Sequence, residues 1–163
     1  MDHVDKIISQ WEKQRADINT APMALIGRIK RVSAFFSAEM GRTFDQHGLN
    51  AASFDMLATL RRSGAPYALS PSRLMEETMV TSGTMTNRID QLVKAGLVKR
   101  IRNPKDGRGF LISLTERGFK VIEKALTDHV KTQKRLVENL SASQYENLNK
   151  ALKQLLEPFE AMR

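Results

Sequence analysis

Apolar residues recur at helical spacing along most of the chain, and the pattern turns strand-like once. Val4, Ile7, Ile8 and Trp11 share one side of a first helix over residues 4–16, and "NTAPM" breaks it. Pro22 suits the first turn of a second helix, which runs through Leu25, Ile26, Ile29, Val32, Phe35, Phe36 and Met40 to near Gly48. Asn50 caps a third helix carrying Phe54, Leu57, Ala58 and Leu60, closed by Gly64. "PYAL" is short and extended. Ser70 and Pro71 form a cap and first-turn pair for a brief helix to Thr78, and Thr81 or Ser82 caps the next, which stops at Gly96. "LVKRIR" and "FLISL" are then rich in aliphatic and β-branched residues, with the Pro- and Gly-bearing "NPKDGRG" between them, as in a β-hairpin with a long loop. Thr115 caps a long helix through Val121, Ile122, Leu126, Val130 and Leu136. "SASQ" at 141–144 reads as a capping box for a last helix that stops near Pro158.

A short helix, a tight turn, a second helix and a two-stranded hairpin make a winged helix–turn–helix. The expected fold is therefore mainly α with a small β-hairpin wing, an α+β arrangement in which N- and C-terminal helices flank a winged core. The expected organisation is one domain over residues 1–163: helices within 1–48 and 115–163 for dimerisation, a DNA-binding core over 49–114, and a wing near 98–114.

Charge sharpens this picture. The 163 residues carry a net charge of +8, with a pI near 10.0 and a hydrophobic fraction of 41%, so a basic protein with a real core is expected rather than a disordered polycation. Such a balance fits a polyanionic partner or, alternatively, a basic soluble protein without one. There is no cysteine, which removes disulfides, thiol redox sensing and thiolate metal sites. The first residues lack an apolar signal core, and no run approaches the roughly 20 apolar residues of a membrane span. The expected location is cytoplasmic, with no membrane partner. His3, His47 and His129 have no ligand spacing, and there is no phosphate loop, HExxH or nucleophile motif, so neither a metal, a cofactor nor an enzymatic activity is expected.

The chemistry of DNA recognition falls on the helix from Ser82 to Ala95. Met85, Ile89, Leu92 and Val93 share one face, while Gly83, Asn87, Gln91 and Lys94 take the other. Amide and hydroxyl side chains there can bond base edges or phosphates, and Gly83 permits close backbone approach. The candidate DNA contacts are Ser82, Gly83, Thr84, Thr86, Asn87 and Gln91 here, Ser70, Ser72 and Arg73 on the preceding helix, and Arg102, Lys105 and Arg108 on the wing. A polar face alone equally describes any solvated helix; the basic hairpin downstream favours DNA. Asp90 is a poor DNA contact and is expected to pair with a neighbouring Arg or Lys. Asp106 is placed to brace Arg102 or Arg108 within the wing. Asp55, Arg62 and Arg88 stand out of place on helix faces: a ligand switch near the recognition helix, or a structural ion pair locking the fold. Trp11, the only tryptophan, reads as core packing on its helix face.

"SGTMTNRIDQLVKAGLVKR" resembles the recognition helix and first wing strand of the MarR family of winged-helix regulators, and "NPKDGRGFLISLTERG" resembles its wing and the start of its long dimer helix. The match covers nearly the whole chain. It departs at Asn103 and Gly107, where many relatives carry an acid and an arginine, which implies fewer charged wing contacts. "QWEKQRADI", "APMALIGRI", "FDMLATLRRSG" and "PYALSP" are similar to the urate-responsive, PecS-like branch. That resemblance implies that Trp11, Asp55, Arg62 and Arg88 are the ligand-response residues, and it favours a switch over a purely structural pair. It further implies a homodimer on a pseudo-palindromic double-stranded DNA operator, divergent control of a neighbouring gene, often for efflux, and release by urate or a related purine. The rivals are a regulator of the same family answering a phenolic acid or another aromatic anion, a ligand-independent architectural DNA-binding protein, and a small-molecule carrier.

Overall fold

The computed structural model describes residues 1–78, 85–104 and 109–161. The elements run α1 (His3–Gln14), α2 (Ala21–Asp45), α3 (Ala51–Arg62), β1 (Ala68–Leu69), α4 (Pro71–Glu77), α5 (Met85–Lys94), β2 (Val98–Arg102), β3 (Phe110–Leu114), α6 (Glu116–Leu136) and α7 (Ala142–Glu160). Two compact units result, Met1–Arg42 and Thr43–Arg163.

In the first unit, the Asp2 carboxylate accepts the Asp5 amide at 2.9 Å while Asp5 accepts the Asp2 amide at 2.8 Å, a capping box that starts α1. The Arg28 guanidinium of α2 then donates to both carboxylates, to Asp2 at 2.8 Å, joining the two helices. Val4 is buried beside Gly27. Trp11 is not core: it stays 42% exposed, because its turn of α1 lies at the rim of the contact with α2. Ile26, Ile29, Val32 and Phe35 of α2 are exposed as well.

The second unit closes around Met56, Leu57, Leu60, Leu74, Ile112 and Ile122, all fully buried. The caps expected for α3, α4, α6 and α7 form: Asn50 accepts from the Ser53 amide, Ser70 from Arg73, Thr115 from Gly118 and Ser141 from Gln144. The cap of α5 lies outside the described residues. α7 stops near Pro158, as expected, running two residues past it to Glu160; the proline removes one amide donor from the last turn.

The sheet has three antiparallel strands in the order β1-β3-β2, one more than the expected hairpin. Val98 to Arg102 pair with Leu114 to Phe110, and Ala68 and Leu69 join the other edge of β3 opposite Ser113 and Ile112. The last two residues of "PYAL" are thus a strand, because β3 has an unpaired edge to offer them. Tyr67 precedes it at φ 57°, and its carbonyl accepts the Leu114 amide at 3.1 Å. The hairpin base meets the start of α6 closely. Thr115 Oγ1 donates to the Gly96 carbonyl at 2.7 Å, and a Cβ on Gly118 would stand 1.9 Å from the Leu97 carbonyl oxygen, so only glycine fits there.

α6 also meets the chain around the end of α2. His129 packs on Phe44 and Phe54 with ring centroids 5.1 and 4.7 Å away, His47 bonds Asp128 at 3.1 Å, and Thr43 bonds Thr132 at 2.8 Å. Burial without a hydrogen-bond partner for Nδ1 pushes the His129 imidazole below its ordinary pKa. α7 differs from every other helix of the unit in burying none of its residues; Leu148, Leu152, Leu155, Leu156 and Phe159 remain exposed.

Candidate nucleic-acid interface

α4 and α5 form the helix–turn–helix against α3. Leu74 anchors α4 in the core, which leaves Ser72 and Arg73 on the exposed side, with Arg73 bonded along the helix to Glu77 at 2.6 Å. The Ser70 hydroxyl caps α4 by accepting the Arg73 amide at 3.3 Å. On α5, Met85, Ile89 and Leu92 are buried against α3 and β2, and Val93 is half-buried. Thr86, Asn87, Gln91 and Lys94 are consequently exposed on the opposite face. Burial of one stripe fixes the rotation of the helix, and that rotation presents two amides and a hydroxyl outward. Ser82, Gly83 and Thr84 lie outside the described residues, as do Lys105, Asp106 and Arg108 of the wing.

The wing is braced onto α5 by a contact the sequence half disclosed. Asp90, expected to find a basic neighbour, accepts from the Arg100 guanidinium of β2. That guanidinium also lies over the Phe110 ring, 5.5 Å from its centroid. The register explains the stack: Arg100 faces Ile112, which puts Phe110 diagonally across on the same face of the hairpin. Alternation within "VKRIR" and "FLISL" held this signal, but the register was needed to read it. Arg102 is exposed at the far end of β2, and the Asn103 amide donates to the Gly109 carbonyl at 2.9 Å, closing the hairpin below the wing tip.

The ligand-response candidates divide between the units. Trp11 lies in the first, on a groove of about 320 Å³ lined also by Val4, Ile7, Met23, Lys30 and Arg31. Asp55, Arg62 and Arg88 lie in the second. Asp55 on α3 and Arg88 on α5 are both half-buried, on helices that pack together. Arg62 is exposed, and its guanidinium donates to the Glu77 carbonyl at the end of α4. Sequence reading missed Arg61. Its guanidinium bonds Glu123 at 2.6 Å and stacks between Tyr67 and Phe119, 5.2 and 4.9 Å from their centroids, tying α3 to α6. Glu123 is the first cause raising the Arg61 pKa. No spacing within one element could have shown it, since its partners come from two other stretches, Tyr67 before β1 and Phe119 and Glu123 on α6.

Among the described residues, no group of three or more His, Asp or Glu could hold a metal ion, and no helix is long and apolar enough to cross a membrane.

Residues 47–109, from the end of α2 to the wing, match the model of the MarR family. The chain is 36% identical over 149 residues to the HTH-type transcriptional regulator PecS of Dickeya dadantii (strain 3937), covering 91% of this chain and 90% of that protein. It is 33% identical over 110 residues to the multiple antibiotic resistance protein MarR of Escherichia coli (strain K12), covering 66% and 74%. Among solved structures, a mutant MarR from E. coli complexed with operator DNA aligns with a TM-score of 0.71 at 27% identity, covering 85% of this chain and 99% of that one.

Proposed function

The chain belongs to the MarR family of winged-helix transcriptional regulators, and from that premise we propose that it acts as a homodimeric repressor released from a pseudo-palindromic operator by a small aromatic anion such as urate. It is a DNA-binding regulator; the relatives it matches are transcriptional regulators rather than enzymes. The dimer, the repression and the effector are our reading.

The observation that carries the reading is the placement of Asp55 and Arg88. Both are half-buried, on two packed helices, and α5 is the helix whose outer face carries Asn87 and Gln91. An anion pairing with Arg88 repels Asp55, α3 shifts, and α5 loses its fit to the groove. Such a ligand acts through its different affinity for the two arrangements. Arg62, which bonds the end of α4, links the same shift to the first helix of the helix–turn–helix. Trp11 completes the set of response residues. We assign the DNA contacts to Ser70, Ser72, Arg73, Ser82, Gly83, Thr84, Thr86, Asn87, Gln91, Arg102, Lys105 and Arg108. For dimerisation the support is α7, whose apolar residues stay exposed among the described residues.

The test is a urate titration of the protein on a duplex it has selected from a random pool, read by DNA release and by quenching of the lone tryptophan. Urate releases the duplex from the native protein. Arg88→Ala loses the response, and Asp55→Asn binds urate but releases poorly, both compared at matched duplex occupancy. Release by a phenolic acid and not by urate keeps the switch and changes its ligand. If no aromatic anion releases DNA and both variants merely melt earlier, the pair is structural and the regulator is blind to such ligands.

A further inference from the structure

α6 carries a second surface that the reading head does not use. At 100° per residue, Arg117, Lys120, Lys124, Lys131 and Arg135 fall within about 60° of one another, while the buried Ile122 and Ala125 lie on the other side of the helix. All five cations are exposed. At 1.5 Å per residue the strip is about 27 Å long. Its start forms the wall of a groove of about 690 Å³, to which Gln46, His47 and Thr115 also contribute. Two acids share the strip, each in an exposed pair: Glu116 with Lys120 at 2.7 Å and Asp128 with Lys131 at 2.9 Å. Exposed pairs of this kind are weakly held and exchange readily for another anion.

The shape of the strip selects its partner. Five cations spread from Arg117 to Arg135 do not converge on a compact anion. A protein partner needs buried aromatic or aliphatic anchors at the centre of its interface, and the strip offers only the half-buried Val121. A membrane surface needs adjoining apolar residues to insert. A straight row of cations without anchors fits the phosphates of duplex DNA, which present one charge per about 1.7 Å of axis. The strip begins at Arg117, beside the Val98 and Leu114 end of the hairpin, whereas the Arg102 and Phe110 end lies about 13 Å away along the strands at 3.3 Å per residue. The strip therefore starts at the opposite end of the hairpin from Arg102, the described wing residue assigned to the reading surface.

We propose that the α6 strip is a second DNA-binding surface, which takes the backbone of a separate duplex, so that a molecule seated at its recognition site tethers another DNA segment. The proposal rests on the reading of the chain as a DNA-binding regulator. The test immobilises a duplex selected by the protein from a random pool, saturates it with full-length protein, and measures retention of a labelled duplex of unrelated sequence. The native protein retains the second duplex in a salt-dependent way. The variant K120Q/K124Q/K131Q loses that retention at least tenfold, with a salt slope lowered by about 3. Its affinity for the selected duplex alone stays within about twofold, because distant sites act independently. Circular dichroism melting shows that the variant folds, as expected for exposed lysines. Equal retention by the variant, or no retention by the native protein, overturns the proposal. So does a matching loss of affinity for the selected duplex, which would make the strip part of the reading surface. Capture of phosphatidylserine vesicles without capture of the second duplex assigns the strip to a membrane and also overturns it. Failure to select any duplex overturns the DNA-reading assignment, and the strip falls with it.

Discussion

α5 and α7 are both amphipathic helices with apolar residues at three- and four-residue spacing, yet they meet opposite fates. α5 buries Met85, Ile89 and Leu92 against α3 and β2, with Ile89 and Leu92 only 3% exposed. α7 presents Leu148, Leu152, Leu155 and Leu156 at similar spacing, and all four remain 43% to 52% exposed. The difference lies in what surrounds each stripe rather than in the stripe itself. α5 is held between a helix before it and a hairpin after it, and its polar face is thereby aimed. Among the described residues, no element closes over the α7 stripe in that way. An apolar face of this size on a regulator marks an interface, and a second copy of α7 is the complementary surface we propose for it.

Truncation inside α5 has the largest expected effect. Leu92→Ala removes a side chain that is 3% exposed, at a cost of about 2–5 kcal/mol of stability. Denaturant unfolding measures it, and the loss is the same at low and high protein concentration. A cost below about 1 kcal/mol would mean that the α5 seat is malleable and its rotation poorly fixed.

Charging α7 sharpens the contrast. Leu152→Glu combined with Leu156→Glu converts the stripe to a repulsive one, so sedimentation should show the mass falling from dimer to monomer. Operator binding then weakens, because the two half-sites are no longer joined. An unchanged dimer would show that α7 is not the interface.

The aimed face of α5 predicts a smaller effect of another kind. Asn87→Ala alters base preference by about 1–3 kcal/mol at one position of the selected duplex. Selection of the same sequence by native and variant proteins would remove base reading from Asn87.

The smallest effect comes from His129. Its pKa is lowered in the folded chain by burial, so the unfolded chain binds this proton more readily. Stability from the neutral imidazole is complete above the unfolded pKa of about 6.5 and is lost as the pH falls through that value toward the folded one. The melting temperature of the native protein should therefore drop below about pH 6.5, and His129→Phe, which suits the ring cluster with Phe44 and Phe54, should flatten that drop. Asp128 beside it has its pKa lowered, first by Lys131, so its own contribution fades only at more acidic pH.

The elements were legible because their signals are local. Asn50, Ser70, Thr115 and the Ser141–Gln144 box sit within three residues of the amides they serve, and a cap works the same way in any fold. The hairpin was legible from its two aliphatic runs. The third strand was not, because Ala68 and Leu69 are too short to show alternation and gain strand character only from the free edge of β3. The brace of Asp90, Arg100 and Phe110 was visible only in part: the acid needed a cation, but register chose which one. Trp11 misled, since an apolar neighbour in sequence says nothing of what lies over the ring in space.

By itself the sequence determined where helices begin and end, which face of α5 is apolar, and that the chain carries an excess of positive charge. These follow from properties of single residues and their close neighbours: backbone preference, side-chain polarity and ionisation. The tertiary structure decided the pairings across distance. Arg61 sits between Tyr67, Phe119 and Glu123, Gly118 lies under the Leu97 carbonyl, and the α5 stripe is covered while the α7 stripe stays bare. Each of these depends on which surfaces the folded chain brings within a few ångströms, and the short range of packing and hydrogen bonding makes that a property of the whole arrangement.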